Sequence, residues 1–528
     1  MNGAESKSTR ILTMPCVAAL AALVACAPGE KAASRDLPVI SLEEKPALSR
    51  HVEQADVAKG AVPFPELFAA GDHLFHAAYN GLDGVGAMRT AGGAPLPRFS
   101  VGPVGGGQPI AVSAQACGDC HAVPFAAGAG HAHTRVLADP DVDGKAPFNA
   151  RGTTSLHGDG LLQLLAEEMT EELQAARDAA AAEAGQSPGA PVRKALAAKG
   201  VEFGEIVATG GKDGAVAFDY SGVVGVEPDL VVRPFGWKGF VTTLRGFVLA
   251  AANHGMGMQG EEFAWRLPPE RQPDGDEDGV SRELTVGDIT AMTVYNAAQE
   301  TPLGVAHLAE LGMVARPDAA ALARVDEGRA LFERVGCGSC HRPEMHLANT
   351  VFEEPTKRGG GHYLDGFLAS KDPDYDPARP VRVDMLKDAQ PPRVEAHPEG
   401  GATVRLYGDL KRHRMGRHLA DTAGPQVVFD STLAPLQIDG EVRVIPPDEF
   451  LTAELWGVGS TSPYLHDDRA GTLREAILLH GEDAPPPPGD PARSEAQEAR
   501  EAFAGLADGE QTAVVTFLKS LVNFSPDR

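Results

Sequence analysis

Cys117-Gly-Asp-Cys120-His121 and Cys337-Gly-Ser-Cys340-His341 share one form, C-x-x-C-H. Two thiols at this spacing can form thioethers to one porphyrin, and the histidine that follows can ligate its iron from the proximal side. A zinc knuckle wants two such cysteine pairs close together, and these begin at residues 117 and 337. A dithiol switch does not need the histidine. The pattern therefore predicts two covalently bound haem c groups, anchored at Cys117, Cys120, Cys337 and Cys340, with His121 and His341 as proximal iron ligands. With both motifs occupied, most functions without electron transfer fall away.

The chain has six cysteines. The other two, Cys16 and Cys26, lie in the first 26 residues, so none is left for a structural disulfide. Lys7 and Arg10 precede a largely apolar run from Ile11 to Val24, too short for a comfortable membrane span. The run reads as a signal peptide. It ends Leu23-Val24-Ala25-Cys26, similar to the bacterial lipobox, which makes Cys26 the expected lipidated N-terminus. Ala27 follows rather than Asp, and the lipobox pattern then implies the outer membrane. The alternative is an ordinary cleaved signal with an incidental cysteine. The expected location is the periplasm, with the lipid anchor as the contact with membrane. Export fits haem attachment, which in bacteria takes place outside the cytoplasm.

A net charge of −26 argues against nucleic acid and anionic lipid surfaces as partners. It suits a basic redox protein, with a small electron donor as the alternative. The expected organisation is a signal over 1–26, a tether over 27–61, a first haem domain over 62–311 and a cytochrome c-like domain over 314–528. Helical patterns stand around Leu67–Tyr79, over Leu161–Ala184, and from near Thr285. Asp326–Gly336 leads straight into Cys337, and Gln511–Leu521 repeats apolar residues at helical spacing. Pro-rich, polar insertions cover 355–400 and 484–496. The fold class expected from this is mainly α: two cytochrome c-like haem domains with long loops and insertions.

Several further segments resemble the di-haem oxidoreductase family, within the bacterial di-haem cytochrome c peroxidase superfamily. They are Arg233-Pro-Phe-Gly-Trp237-Lys, Asn253-His-Gly-Met256-Gly, Glu283-Leu-Thr-Val-Gly-Asp288-Ile-Thr-Ala, Arg412-His-Arg-Met415-Gly, and Leu455-Trp456-Gly-Val-Gly-Ser-Thr-Ser-Pro463-Tyr-Leu-His466, running on to His480-Gly-Glu. The resemblance implies a C-terminal haem that takes up electrons and an N-terminal haem where chemistry occurs. It implies Trp237 as the relay between them; a buried Trp is otherwise plain core. Peroxide or another small molecule is the implied substrate.

In the family the distal ligand of the second haem is a Met at a fixed interval after the Pro-Tyr-x-His signature. Counting from His466, that interval lands on His480. Imidazole is the stronger donor and lowers the potential. Met415 is the competing ligand, and a helix-capping role before Gly481 is the other reading of His480. For the first haem, His131 and His133 are the candidate distal ligands; surface polar residues are the plain alternative. Peroxidase relatives carry a Gln and then an acidic residue on this distal side. In register, those positions here are Phe247 and Gly255, and neither can move a proton. His254 is the candidate acid/base beside them. Met256 and Met258 can ligate or simply pack.

Asp274-Gly-Asp276-Glu-Asp278-Gly279 has the spacing of a calcium loop, but Thr285 stands where the closing Glu belongs. A solvated acidic turn is the alternative. The resemblance also implies an inter-domain calcium held near Thr461 and Pro463, with Asn149 as a third candidate. Three functions compete: a peroxidase-like oxidoreductase, an electron-transfer cytochrome without substrate chemistry, and an oxygenase-like enzyme acting on an apolar substrate.

Overall fold

A computed structural model of the chain describes residues 43–85, 114–137, 148–267, 269, 272, 274 and 278–526, with the side chains of 131–137 and 148 outside that set. The signal segment with Cys26, and the tether as far as residue 42, lie outside the described residues. Pro46–Arg528 forms one compact unit by its contacts, separate from Met1–Lys45. Among the described residues no helix is long and apolar enough to cross a membrane.

Seven helices organise the site: α1 (Phe64–His76), α2 (Asp159–Gln186), α3 (Leu244–Met256), α4 (Val286–Ala297), α5 (Ala319–Arg334), α6 (Leu473–Leu478) and α7 (Asp508–Lys519). Their starts follow local chemistry. Thr243 Oγ1 accepts from Gly246 N, Asp318 from Ala321 N, and Thr472 from Glu475 N. Thr285 and Asp288 form a reciprocal capping box for α4. Gly71 lets α1 lie directly on α4: a Cβ there would stand 2.3 Å from the Ala291 carbonyl oxygen. Gly328 does the same where α5 crosses α7, against the Ala513 carbonyl. Phe332 and Phe517 meet edge to face across that crossing, 5.4 Å between centroids.

The mainly α expectation is corrected: the described residues are 32% helical and 17% strand, with several antiparallel sheets. The largest is β3 (Pro191–Ala198), β4 (Val201–Gly210) and β5 (Val216–Asp219), after the pair β1 (Gly130–Leu137) and β2 (Phe148–Thr153). Ala198 pairs with Val201, so Lys199 and Gly200 form a two-residue turn, both at positive φ (46° and 75°). That is a hairpin turn whose twist matches the strands. The remaining pairs are short. Met345–Leu347, Ala402–Val404 and Glu395–Ala396 make one sheet, and Arg412–Arg414 pairs with Glu449–Leu451. The sequence reading assigned no strands to these segments, because strands of two to four residues carry no periodicity.

Two cores result. The larger joins α1–α4 and β3–β4 to Met345, Phe352, Val404 and Leu410, so the segment after the second motif packs with the N-terminal half. The smaller holds Leu331, Phe332, Tyr407, Leu473, Phe503, Val514 and Phe517 around α5, α6 and α7. Leu521–Val522 returns to pair with Leu303–Gly304.

Candidate haem sites

At the first motif Cys117–Cys120 forms a single helical turn, with His121 just beyond it. His121 Nδ1 lies 3.0 Å from the Thr154 carbonyl oxygen and 3.2 Å from that of Gly128. A carbonyl only accepts, so Nδ1 carries the hydrogen and donates it, leaving the Nε2 lone pair for a metal. Burial drops His121 to about 4, keeping it neutral. The second motif repeats the device: His341 Nδ1 donates to the Tyr407 carbonyl oxygen at 3.1 Å, and burial lowers this ring to about 4 as well. Burial pushes the Cys117 and Cys337 thiols up to about 12. All four motif cysteines are free. Neutral thiols of this kind are unlike the thiolates of zinc and dithiol sites.

The faces opposite the two histidines differ. Beyond His341 stands His480, just past α6, with Nδ1 donating to the Ala476 carbonyl oxygen at 2.8 Å. The ring centroids of His341 and His480 are 6.3 Å apart. Two metal–imidazole bonds of about 2 Å each, plus roughly 1 Å from each nitrogen to its ring centre, ask for about 6 Å. The donor set thus fits a metal held between the rings. Met415 is half-buried, its backbone N–H donating to the Asp448 carbonyl oxygen at 2.8 Å.

Over the first motif lies the end of α3. Met256 Sδ is 3.9 Å from Cys117 Sγ, and the Ala114 N–H donates to the Gly255 carbonyl oxygen. Phe247 sits among Phe235 and Phe240, 6.3 Å from each. An ideal Cβ on Gly255 meets nothing within 4 Å. His254 Nδ1 donates to the Ala250 carbonyl oxygen at 3.0 Å, leaving Nε2 as acceptor. Its ring surface is accessible, yet the protein around it desolvates the charged form and lowers its pKa. Met258 is fully buried. His131 and His133 lie on β1, with side chains outside the described set.

Trp237 is half-buried, and its Nε1 donates to the Gly152 carbonyl oxygen at 2.9 Å. Gly152 N in turn donates to the carbonyl oxygen of His466, in the Pro-Tyr-Leu-His segment. Beside this link lies a buried charge cluster that sequence reasoning missed. Arg151 makes two 2.7 Å bonds to Asp421, and Lys238 Nζ is 3.2 Å from the same carboxylate. Lys238 also donates to the carbonyl oxygens of Pro446, Pro447 and Glu449 and sits over the Phe450 ring. Burial lowers its pKa to about 8. Nothing in sequence spacing links residues 151, 238 and 421.

A second missed group is His413, inside the quoted Arg412–Met415 segment. Its Nε2 is 2.8 Å from Asp409 and its Nδ1 2.7 Å from Glu495, with Cys340 Sγ at 3.9 Å. Cys340, Asp409 and His413 are close enough to suggest a metal site. An imidazolium that donates from both nitrogens has no lone pair to offer, so an ion pair is the better description.

Of the calcium candidates, Asp274 and Asp278 are joined through the loop's own turn. Asp274 accepts from the N–H groups of Asp278 and Gly279, and Asp278 from that of Val280. Asp276 lies outside the described residues. Thr461 and Pro463 are half-buried, and Asn149 Oδ1 accepts from Ala423 N.

No family model matches the chain, and no curated protein matches it. Among solved structures, the crystal structure of a MauG-like protein associated with microbial copper homeostasis is similar at 15% identity. The match covers 61% of this chain and 80% of that one, with a TM-score of 0.28.

Proposed function

We propose that the chain is an exported di-haem c-type oxidoreductase of the peroxidase-like kind. The carrying observation is the asymmetry between two matched motifs: His480 faces His341, while Met256, His254 and Gly255 stand over the first. When bound, the haems would supply one-electron chemistry and, at an openable first site, activation of peroxide or another small oxidant.

The chain's own residues then divide the work. Cys337 and Cys340 anchor the second group, and His341 with His480 holds it from both sides as an electron-storing site. Trp237, bonded to β2 at Gly152, is the proposed relay. Cys117, Cys120 and His121 hold the first group. His254 Nε2 is the proposed proton acceptor there, since Phe247 and Gly255 have no proton to move. The aromatic cluster around Phe247 supports the oxygenase-like alternative, in which the same site takes an apolar substrate. Lipidation at Cys26, a periplasmic location facing an outer membrane, and a redox protein or small molecule as donor complete the proposal, on the strength of the N-terminal sequence and the acidic charge.

The test is spectroscopy of the reduced holoprotein, followed by peroxide turnover with a reduced donor. Two haems per chain, one of them high-spin and CO-binding, are expected. If every haem stays low-spin and ignores CO, the chain is an electron-transfer cytochrome. CO binding without peroxide turnover favours the oxygenase-like reading.

A further inference from the structure

Behind the second motif stand two acids that the proposed chemistry does not use, Glu454, half-buried, and Asp159, buried. Glu454 lies against Gly408: a Cβ on that glycine would be 3.8 Å from Glu454 Cα and Cγ. Gly408 follows Tyr407, whose carbonyl oxygen holds His341. Glu454 Oε1 is sealed from solvent with no hydrogen-bond partner. A sealed, unpartnered carboxylate oxygen is costly unless a proton sits on the group. Asp159 sits at the start of α2 and is 7% exposed. It faces Glu454, which raises its pKa further after burial has done so. Trp456 closes this corner: a Cβ on Gly158 would stand 2.4 Å from its ring, and Gly158 has φ 88°.

The remaining charges facing the pair are accounted for. Asp409 also faces Glu454, but its Oδ1 accepts from Lys411 N and its Oδ2 from His413. His413 is held in turn by Glu495. Glu300, near the same turn of chain, lies 3.4 Å from His157. Among the described residues no cation is bonded to Glu454 or Asp159.

Resting on the di-haem reading, we propose that Glu454 is a redox-linked proton site: it takes a proton from solvent when the second haem is reduced and returns it on oxidation. One electron from a one-electron reductant, such as a reduced redox protein, converts ferric to ferrous iron. One solvent proton converts the Glu454 carboxylate to the acid, so the buried charge stays constant. Burial, then Asp409, lifts Glu454 to about 7, inside the range where this exchange occurs. Burial, then Glu454, raises Asp159 as well; Glu454 is the assigned exchanging member because it lies against Gly408, next to the Tyr407 carbonyl that holds His341.

The test is spectroelectrochemical titration of the full-length holoprotein with mediator dyes, following the low-spin haem from about pH 5.5 to 9. The expected potential falls with pH by as much as about 59 mV per unit, the value for one proton per electron. Glu454→Gln flattens that slope with the low-spin spectrum intact, while Asp159→Asn leaves the slope in place. Proton uptake on reduction in weakly buffered solution gives a second reading, approaching one per electron in the unmodified protein near neutral pH. A flat profile with no proton uptake overturns the proposal. So does a slope that survives Glu454→Gln, which would assign it to the haem propionates, or one lost only in Asp159→Asn. A haem count below two per chain sinks the di-haem reading instead, and is measured separately on the same sample.

Discussion

The imidazole rings of His341 and His480 lie 6.3 Å apart, each with Nδ1 bonded to a backbone carbonyl oxygen. Those bonds fix both tautomers and leave both Nε2 atoms as donors to metal. His480→Met keeps a ligand of similar reach but exchanges nitrogen for sulfur. The expected result is a clear rise in the potential of one haem, with the other unchanged, because a thioether favours ferrous iron more than imidazole does. Redox titration and near-infrared spectra read this directly. An unchanged potential would remove His480 as the ligand and return attention to Met415.

Gly255 offers a gain-of-function test. Its Cβ position is open, its φ is not positive, and it lies on α3 above Cys117. Gly255→Glu places a carboxyl beside the first motif, where the proposed function lacks one. A positioned general acid/base is worth roughly 10²–10⁴-fold. Peroxide turnover should rise by at least about tenfold, allowing for imperfect placement. His254→Ala should lower turnover in the unmodified chain and matter less in the Gly255→Glu background. Equal loss in both backgrounds would exclude His254 as the proton acceptor.

Trp237→Phe removes one hydrogen bond, Nε1 to Gly152, and leaves a smaller ring in place. The stability cost is about 1 kcal/mol. If the indole relays electrons, stopped-flow mixing of the reduced protein with peroxide should show slower oxidation of the second haem. Haem content and both resting spectra should stay as they were. A rate unchanged within twofold would assign Trp237 to packing alone.

How far the sequence was readable depends on how local each signal is. Asp326–Gly336 and Gln511–Leu521 carried helical periodicity and meet as α5 and α7, with Gly328 at their crossing. The strand content was less visible. β4 does alternate, burying Val201, Phe203, Ile206 and Ala208, and Lys199-Gly200 is a readable hairpin turn. The short pairs after residue 340 form only because distant segments meet, and propensity is silent there. His480 was reached by counting from His466, because its interval is fixed within one helix and its approach. His413 with Glu495, and Lys238 with Asp421, join residues 82 and 183 positions apart, and no local pattern announces them.

His413 gives a stability prediction with a definite sign. Burial alone would lower its pKa, but the bonds to Asp409, Cys340 and Glu495 outweigh it and raise it from 6.5 to about 11. With the sulfur in a thioether, the two carboxylates still raise it. A folded pKa above the unfolded one means the folded state binds the proton more tightly. The ion pairs therefore contribute their full stabilisation below about pH 6.5 and lose it as pH rises toward about 11. His413→Gln leaves Asp409, only 2% exposed, without its cation. Breaking a buried pair in this way costs about 3–5 kcal/mol. Guanidinium unfolding of both proteins, followed by far-ultraviolet circular dichroism from about pH 6 to 10, should show the largest gap at the acid end. The gap should narrow steadily with pH. A gap that stays constant would show that His413 is neutral in the folded protein and acts through hydrogen bonds alone.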